Sequence, residues 1–556
     1  MLIKINKQNF SNLNSQLAIN GIVYSYEIIG DIYLENEDEV ISGIVSNKRD
    51  YLSKLLTDFT VVILNHTTLE IVVFSDRSGK QNIFYTVANE QVVISDDLWE
   101  IKLHLNLGLK DINVSAIKQQ LFFSGLDDAT IFERIQTIPA ASFVHINQDS
   151  YSVKKDRYWQ FEYESTSYSY EDKLDLIDDA FNKALKTIKT LNPNESTFAV
   201  GVSGGLDSRL IPYYAQKNGM DIEGFTIGLE RPNKLLLAND FNSANKIAAH
   251  FNIERKTLNY NSMSFKEQLE LESILAPELG CQLFKVVDPS RIKSNILITG
   301  ASGFVVGASP MYSSLVDNEL LEHTLLYQSV LTKKPVAAKY KKALNHFTSI
   351  NLKFMPEIAY GGLGDLFTKN DTDKAIESIN GFYEEFTRLS NSEKMMNYAI
   401  FGLGRNNAKG AFESFLGQKK AYSIYTPFFL DVVPKFSENE LLNRKLFQEF
   451  FVKRLPELSM MQGQEFRPMM STPTNAFINF SRKVVAMGNF VIRGNGVMNY
   501  ESWVSSAEFI KLKNEMDEKS KDILSQLGIS LNFGDENVHP AIKQNILKMQ
   551  NVLLKV

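Results

Sequence analysis

A short apolar run that breaks into a glycine-rich loop and then a helical pattern most constrains the fold of this chain. The run covers residues 198–202 (FAVGV), the loop covers residues 203–208 (SGGLDS), and the helical pattern begins at Arg209. An apolar run of this kind is typical of a buried parallel strand. Adjacent glycines let a backbone bend tightly and come close to a ligand, and the first N–H groups of a helix attract an anion. The stretch therefore predicts an α/β fold with an anion-binding loop.

The loop also contains a carboxylate, Asp207, which can hold Mg²⁺ against phosphate oxygens. It is not a Walker A motif, because the GxxxxGK[ST] spacing and its lysine are absent. It resembles the pyrophosphate loop (SGGxDS) of enzymes that split ATP between the α and β phosphates and leave AMP on an activated carboxyl or carbonyl group. The resemblance implies ATP and Mg²⁺ as cofactors, with Asp207 as metal ligand and catalytic residue. The alternative is a Gly-Gly turn that merely ends a core strand.

Length and charge limit the class of protein. At 556 residues the chain exceeds what one hydrophobic core usually spans, so two domains are expected. The net charge of −6 argues against a nucleic-acid-binding surface, which would be basic. No apolar run approaches ~20 residues and the N-terminus lacks an apolar signal core, so we expect a cytoplasmic protein without a membrane partner.

The numbers and spacing of cysteine and histidine residues limit disulfides and metal sites. The single cysteine, Cys281, excludes an intramolecular disulfide, as expected in a reducing cytoplasm. Its apolar neighbours favour a buried thiol over a nucleophile. The seven histidines show no paired spacing, so a zinc site is not expected.

The first part of the chain is rich in β-branched and aromatic residues, which predicts antiparallel strands. A short helix is expected to begin at Trp99. The predicted strands cover residues 21–29, 59–64, 69–75, 83–85 and 92–95.

A family resemblance appears within and after this β-rich part. Residues 58–59 (DF) and 74–85 (FSDRSGKQNIFY) resemble GDF and ARDRLGIKPLYY of the asparagine synthetase family, the glutamine-hydrolysing class B type. Residues 130–140 (TIFERIQTIPA) and 157–159 (RYW) resemble its TIFxGIxKLPPG and RYWxL. These segments correspond to the latter part of that family's glutaminase domain, a four-layer Ntn-hydrolase fold.

The resemblance extends to about residue 470 and implies the whole architecture. Residues 1–162 are expected to form a degenerate glutaminase-like domain, and residues 163–556 an asparagine synthetase-like ATP pyrophosphatase domain. The implied fold class is α/β. It comprises an N-terminal Ntn-hydrolase-like antiparallel β-sandwich, then a pyrophosphate-loop parallel-sheet domain of the adenine nucleotide α-hydrolase type, with a largely helical C-terminal part.

The N-terminus departs from that family. Its members carry a cysteine directly after the initiator Met, whose thiol attacks glutamine while its own α-amine acts as base. Here position 2 is Leu2, and no cysteine precedes Cys281. Glutaminase activity is therefore not expected, and the domain is interpreted as a structural cover over the ATP domain that also helps to bind a substrate or partner.

The second part of the chain predicts a parallel sheet. Residues 163–170 form a polar linker, and Ser169 caps an amphipathic helix over residues 171–191. Residues 222–228 (IEGFTIG) resemble the family's FTVGF strand, whose backbone borders the adenine, and residues 296–300 (ILITG) predict another buried strand. Ligands bind at the carboxyl ends of such strands. The ATP-binding residues implied by the resemblance are Val202, Ser203, Gly204, Gly205, Leu206, Asp207, Ser208, Thr226, Ile227, Gly228 and Gly300.

Three groups that the family's synthetase chemistry needs are altered. In a loop of form TGxGxDE, Ala301 replaces the residue that contacts the amine and Phe304 replaces the metal-binding aspartate. Gly463 or Gln464 stands where a late lysine is expected, and Arg467 is the nearby candidate catalytic cation. Other charges that could compensate, unless they are surface charges, are Glu278, Lys285, Asp288, Arg291, Arg405 and Lys409.

Two hypotheses follow. The first is an ATP-dependent ligase that adenylates a carboxylate for attack by an amine. It resembles the cysteine-less branch of the family, the β-lactam synthetases and lasso-peptide cyclases, and implies a small-molecule or peptide substrate such as a precursor peptide. The second is a catalytically impaired homologue that binds nucleotide or a partner. We expect a half-built magnesium site, in which Phe304 and Val305 pack as apolar residues and no second acid faces Asp207.

Overall fold

The structure is a computed structural model. It describes residues 2–6, 9–11, 13–32, 35–81, 83–117, 128–164, 167–228, 240–259, 264–275, 289–300, 303–306, 381–382, 384–398, 400–401, 419–441, 444–461, 506–529 and 540–556.

The N-terminal part forms two antiparallel sheets. One has the strand order β2-β1-β8-β7-β9 and the other has the order β11-β10-β6-β5-β4-β3. The strands are β1 (Leu2–Asn6), β2 (Asn9–Ser11), β3 (Ser15–Ile19), β4 (Ile22–Ile32), β5 (Thr57–Asn65), β6 (Glu70–Ser75), β7 (Phe84–Ala88), β8 (Gln91–Ser95), β9 (Gln136–Thr137), β10 (Ser142–Asn147) and β11 (Val153–Arg157).

The two sheets pack face to face and carry helices on their outer faces. Alternate residues of both sheets, such as Ile94 on β8 and Val73 on β6, form one apolar cluster between them. The opposite faces pack against α1 (Glu37–Val45) and α3 (Leu98–Leu105), while α2 (Arg49–Leu52) follows α1. The N-terminal part therefore has the helix–sheet–sheet–helix layers that the sequence predicts.

The next part forms a parallel sheet with the order β14-β13-β12-β15-β16. Its strands are β12 (Phe198–Gly201), β13 (Ile222–Gly228), β14 (Arg255–Asn259), β15 (Ile296–Thr299) and β16 (Lys420–Ser423). From β12 the chain moves outward to β13 and β14, and it then returns to the other side of β12 with β15. The strand order therefore reverses between β12 and β15, where open parallel sheets bind their ligands.

Helices surround this sheet and form much of the described C-terminal part. They are α4 (Tyr170–Leu191), α5 (Asp207–Lys217), α6 (Asp240–His250), α7 (Phe265–Leu275), α8 (Asn391–Tyr398), α9 (Glu438–Leu441), α10 (Lys445–Arg454), α11 (Pro456–Ser459), α12 (Ala507–Gln526) and α13 (Pro540–Leu553).

Helix α4 begins at the predicted cap. The Ser169 hydroxyl accepts a hydrogen bond from the Asp172 N–H at 3.2 Å, and the Asp172 carboxylate accepts one from the Ser169 N–H at 3.2 Å. This reciprocal pair satisfies two N–H groups that the helix leaves without acceptors. The predicted apolar face is buried, with Phe181 stacked on Tyr214 of α5 at a ring-centroid distance of 5.3 Å.

The two parts of the chain contact each other through charged and apolar residues. Arg77, which is buried, donates to Asp431 at 2.5 Å and to the Leu55 carbonyl at 3.2 Å. Lys80 bonds both Asp58 and, at 2.8 Å, the carbonyl of Ala421 on β16. One continuous apolar core runs through both parts. The division at residue 162 remains a prediction.

Several predicted boundaries shift for physical reasons. Leu69 has a left-handed φ of 56°, so it belongs to the turn and β6 begins one residue later. Helix α5 begins at Asp207, two residues before the expected start, because an acidic residue in the first turn is favoured by the helix dipole. None of the helices in the described ranges is both long and apolar enough to cross a membrane.

Candidate functional site

The loop between β12 and α5 is held by its own two serines. The Ser208 hydroxyl accepts a hydrogen bond from the Ser203 N–H at 2.7 Å and lies 2.8 Å from the Ser203 hydroxyl. The Ser203 hydroxyl also accepts one from the Gly205 N–H at 3.2 Å. These bonds curl the loop back over the first turn of α5, whose leading N–H groups have no acceptors within the helix.

The loop does not need its second glycine for its own geometry. Gly205 has no positive φ, and among the described residues a Cβ atom there would meet only the Ser203 hydroxyl, at 3.4 Å. Residues 203–206 are bent, as expected, but the bend does not require a left-handed backbone at Gly205. What Gly205 provides is open space beside the backbone, which is the requirement of a ligand that approaches the loop closely.

Strand β13 supports the loop from one side. The Val202 N–H donates to the Phe225 carbonyl at 2.8 Å, and the Thr226 hydroxyl donates to the Val202 carbonyl at 2.6 Å. Thr226 is therefore buried, and its hydroxyl has a structural role in holding the loop against β13. Ile227 and Gly228 follow at the carboxyl end of the strand, at the same edge of the sheet as the loop.

The end of β15 supports the loop from the other side. A Cβ atom on Gly300 would lie 2.5 Å from Asp207 Cβ and 2.8 Å from Asp207 Oδ2. Only glycine fits there, because Asp207 occupies the space that any other side chain would need. The loop therefore lies at the point where the strand order reverses, against residues that end β12, β13 and β15.

The Asp207 carboxylate contacts two residues that follow β16. The Tyr425 hydroxyl donates to Asp207 Oδ1, and Arg444 Nη1 lies 3.5 Å from the same oxygen. Burial, with the Asp207 charge beside it, raises the pKa of the Tyr425 hydroxyl well above its usual value, so it stays a proton donor at neutral pH. The guanidinium group of Arg444 also lies 6.0 Å from the centre of the Tyr425 ring.

A second arginine lies behind the loop. Arg209 is fully buried, and its guanidinium donates to the Gly204 carbonyl at 3.3 Å and to the Leu458 carbonyl at 3.5 Å. Burial lowers its pKa to about 10, which still leaves it protonated at neutral pH. Both acceptors are neutral, so a full positive charge lies behind the loop at residues 203–208.

Sequence reasoning missed the roles of Arg444, Tyr425 and Arg209. Arg444 and Tyr425 are separated from Asp207 by more than two hundred residues, and no local pattern indicates the contact. One signal was available for Arg444. The pair Arg444-Lys445 begins α10, a helix end where positive charges are unfavourable unless an anion lies nearby.

The described residues place no cluster of metal-ligating side chains around Asp207. Within those ranges no group of three or more His, Cys, Asp or Glu side chains is placed to hold a metal ion. The one carboxylate that the loop supplies is bound by a tyrosine and an arginine. Mg²⁺ often takes only one or two carboxylates from a protein and completes its coordination with phosphate and water oxygens, but an arginine beside the carboxylate repels a cation. Asp207 as metal ligand therefore remains a prediction that this donor set does not favour.

The altered loop after β15 is described in part. Val305 and Val306 are fully buried, as expected for apolar core residues. Arg291 donates to the Thr257 carbonyl at 3.3 Å, away from the loop. The remaining residues named as candidates lie outside the described residues, or have side chains that do: Cys281, Ala301, Phe304, Gly463, Gln464, Arg467, Glu278, Lys285, Asp288, Arg405 and Lys409.

The position of the family's nucleophile is part of a strand. Leu2 belongs to β1, where it pairs with Ser95 of β8. The absence of glutaminase activity stays a prediction from the residue type at this position.

Comparison with known proteins finds a similarity for the N-terminal part. Residues 5–159 match the family model described as a glutamine amidotransferase domain. The chain is 22% identical to the amidase chry2 of Gibberella zeae over 201 residues, which are 34% of this chain and 29% of that protein. The chain thus matches less than a third of that relative's length.

Solved structures match only distantly. The glutamine phosphoribosylpyrophosphate amidotransferase of B. subtilis matches at a TM-score of 0.19 and 9% identity, covering 44% of this chain and 63% of that one. The NH3-dependent NAD synthetase of Campylobacter jejuni matches at 0.18 and 16% identity, covering 42% and 94%. TM-scores this low do not show a shared fold. The matched family model therefore makes residues 5–159 similar to a glutamine amidotransferase domain.

Proposed function

We propose that this chain is an ATP-dependent ligase that forms an amide bond, and that the loop at residues 203–208 binds the phosphates of ATP. The observation that carries the proposal is the position of the loop. It follows the central strand where the strand order reverses, with α5 pointing its N-terminus at the site and Gly300 packed against Asp207.

The proposed reaction has two steps. A substrate carboxylate oxygen attacks the α-phosphorus of ATP, and pyrophosphate leaves. An amine then attacks the activated carbonyl carbon, a proton is lost from the amine nitrogen, and AMP leaves. The loop N–H groups and the Arg209 charge would stabilise the negative charge that builds on the departing pyrophosphate. The ends of β13 and β15 would border the nucleotide.

The amine in this proposal comes from a substrate and not from glutamine. Leu2 supports this, because a nucleophilic thiol is missing at the start of the amidotransferase-type domain. A ligase without an ammonia source suits the joining of two groups within one molecule. We therefore propose a role in natural-product or peptide modification. The most specific reaction that we propose is macrolactam formation.

A second candidate is a homologue that binds nucleotide without turnover. It is favoured by the Asp207 carboxylate, whose two described partners are Tyr425 and Arg444, and by the buried valines of the altered loop. In this version the loop keeps its anion-binding role, and the N-terminal part serves as scaffold or binding surface.

Exchange of label between pyrophosphate and ATP tests the two candidates. A ligase catalyses this exchange with its carboxylate substrate alone, so pools of carboxylic acids and peptides can be screened without knowing the amine. We expect exchange above a heat-denatured control, with AMP as the nucleotide product once an amine is added. Formation of ADP would overturn the reaction type. Nucleotide binding without exchange across all pools would favour the second candidate.

A further inference from the structure

We infer that Arg444 takes the place of a metal ion at Asp207, so that the loop binds pyrophosphate, or the polyphosphate of a nucleotide, without Mg²⁺. The inference rests on the proposed function, because it concerns the same loop. It goes beyond that function by naming the positively charged group that binds the phosphates.

The first observation is how Asp207 is engaged. Arg444 Nη1 lies 3.5 Å from Asp207 Oδ1, and the Tyr425 hydroxyl bonds the same oxygen. The Arg444 side chain is 14% exposed and that of Asp207 is 26% exposed, so the pair is only partly screened by water. A guanidinium group presents several donors in one plane and can bind a carboxylate and a phosphate together.

The second observation is the backbone of Arg444. It has φ 56° and ψ 32°, the left-handed conformation that a branched or long side chain rarely adopts. Such a conformation persists when surrounding contacts determine it. It places the guanidinium beside Asp207 and immediately before α10, a ten-residue helix with no acidic residue in its first turn. The positive end of α10 thus lies beside its own arginine.

The third observation is the sum of charges around the loop. Arg209 and Arg444 contribute two positive charges, Asp207 contributes one negative charge, and the N-termini of α5 and α10 add partial positive charges. Arg209 Nε is buried, and nothing in the described part of the chain accepts its hydrogen bond. These groups bring positive charge to the loop from two sides, which favours an anion and opposes a free metal cation.

Calorimetric titration with inorganic pyrophosphate tests this directly, once in EDTA and once in Mg²⁺. We expect binding in EDTA that is at least as tight as in Mg²⁺. Arg444→Gln should weaken binding in EDTA about tenfold or more, because a charge-assisted contact is lost. Arg444→Lys should recover part of it. Lys445→Gln is the matched control, because it removes the same charge from the neighbouring exposed side chain, and we expect less than about a threefold change.

Asp207→Asn separates the inference from a metal site most sharply. If Asp207 only restrains Arg444, removing its charge should tighten pyrophosphate binding in EDTA by about threefold to tenfold. If Asp207 holds Mg²⁺, the variant should lose binding. Pyrophosphate binding that requires Mg²⁺, or that Arg444→Gln leaves unchanged, overturns the inference and leaves the proposed function standing. Metal-free binding without any pyrophosphate exchange leaves the inference standing and removes the ligase. No binding under either condition overturns both.

Discussion

At the scale of single residues, two carboxylates, Asp207 and Asp76, lie in unusual surroundings. Asp207 lies at the mouth of the loop, where Gly300 makes room for it and Arg444 balances its charge. Asp76 lies buried where the two parts of the chain meet, with its Oδ1 atom accepting from the Ser78 and Gly79 N–H groups. Each carboxylate gives a prediction that depends on one side chain.

Gly300→Ala should displace Asp207 and weaken nucleotide binding. The added Cβ atom would lie 2.5 Å from Asp207 Cβ, a distance that real Cβ atoms do not tolerate. Overpacking of this kind typically costs about 1–3 kcal/mol of stability. Gly108→Ala is the control, since a Cβ atom there meets no atom of the described residues within 4 Å. Calorimetry with ATP and thermal unfolding should show both losses in the first variant, and equal behaviour of the two variants would contradict the packing argument.

The contribution of Asp76 to the stability of the fold should decrease as pH rises from about 4 through about 7. Burial raises the pKa of Asp76 from 3.8 to about 7, and the negative charge of Asp58 is the second largest cause of this shift. A carboxyl group whose folded-state pKa is raised stabilises the fold fully below about pH 4, and this contribution is lost as pH rises through about 7. Arg77 and Tyr158 also lie near this group.

Asp76→Asn isolates that effect. The amide oxygen can keep the two backbone hydrogen bonds but cannot ionise. Urea unfolding at pH 5, 6, 7 and 8 should therefore show a smaller decrease in unfolding free energy for the variant than for the wild type. Identical pH profiles would show that Asp76 is ionised throughout this range.

At the scale of elements, the sequence predicted those helices, strands and turns that depend on neighbouring residues. The apolar run of β12, the loop and the cap of α4 were evident because strand burial, helix ends and turns depend on neighbouring residues. Strands β1, β10 and β14 were not predicted, because strand formation depends on partners far away in the chain. The contacts of Asp207 with Tyr425 and Arg444 escaped prediction for the same reason.

Ser169→Ala should weaken helix α4. Its hydroxyl accepts from the Asp172 N–H at 3.2 Å, and loss of such a cap typically costs about 1 kcal/mol. Ser167→Ala, which changes an exposed serine two residues earlier, should change the unfolding free energy by less than about 0.5 kcal/mol. Denaturant unfolding of the two variants measures the difference, and equal values would mean that the cap contributes nothing.

At the scale of the whole molecule, the amidotransferase-like part supports the segment that carries Tyr425, beside the proposed nucleotide site. Arg77 bonds Asp431, and Lys80 bonds the Ala421 carbonyl, so the turn at residues 76–80 contacts both ends of the segment that carries Tyr425. Arg77 also lies 5.4 Å from the Trp159 ring. This gives the N-terminal part a structural role that needs no nucleophile at Leu2.

A double-mutant cycle on Arg77 and Asp431 tests this coupling. The Arg77 side chain is 1% exposed while that of Asp431 is 42% exposed, so the buried arginine depends on this partner more than the aspartate does. We expect Asp431→Asn to destabilise the fold and weaken ATP binding, because it takes the carboxylate from the buried Arg77 charge, and Arg77→Gln to do so less, because the exposed Asp431 carboxylate stays hydrated. The interaction energy from urea unfolding should be about 1–3 kcal/mol. Strict additivity of the two changes would contradict the bracing role.

The central claim is that residues 203–208 bind the phosphates of ATP, and Gly205→Asp tests it most directly. Within the described part of the chain only the Ser203 hydroxyl lies near a side chain at this position, so the side chain has room there, but its charge would oppose the phosphates. Asn194→Asp makes the same charge change at an exposed site before β12, at the opposite end of that strand. Calorimetry with a non-hydrolysable ATP analogue should show binding by the wild type and by Asn194→Asp, and a loss of about a hundredfold in Gly205→Asp with unchanged thermal stability. Equal affinity of all three proteins would place the nucleotide site elsewhere.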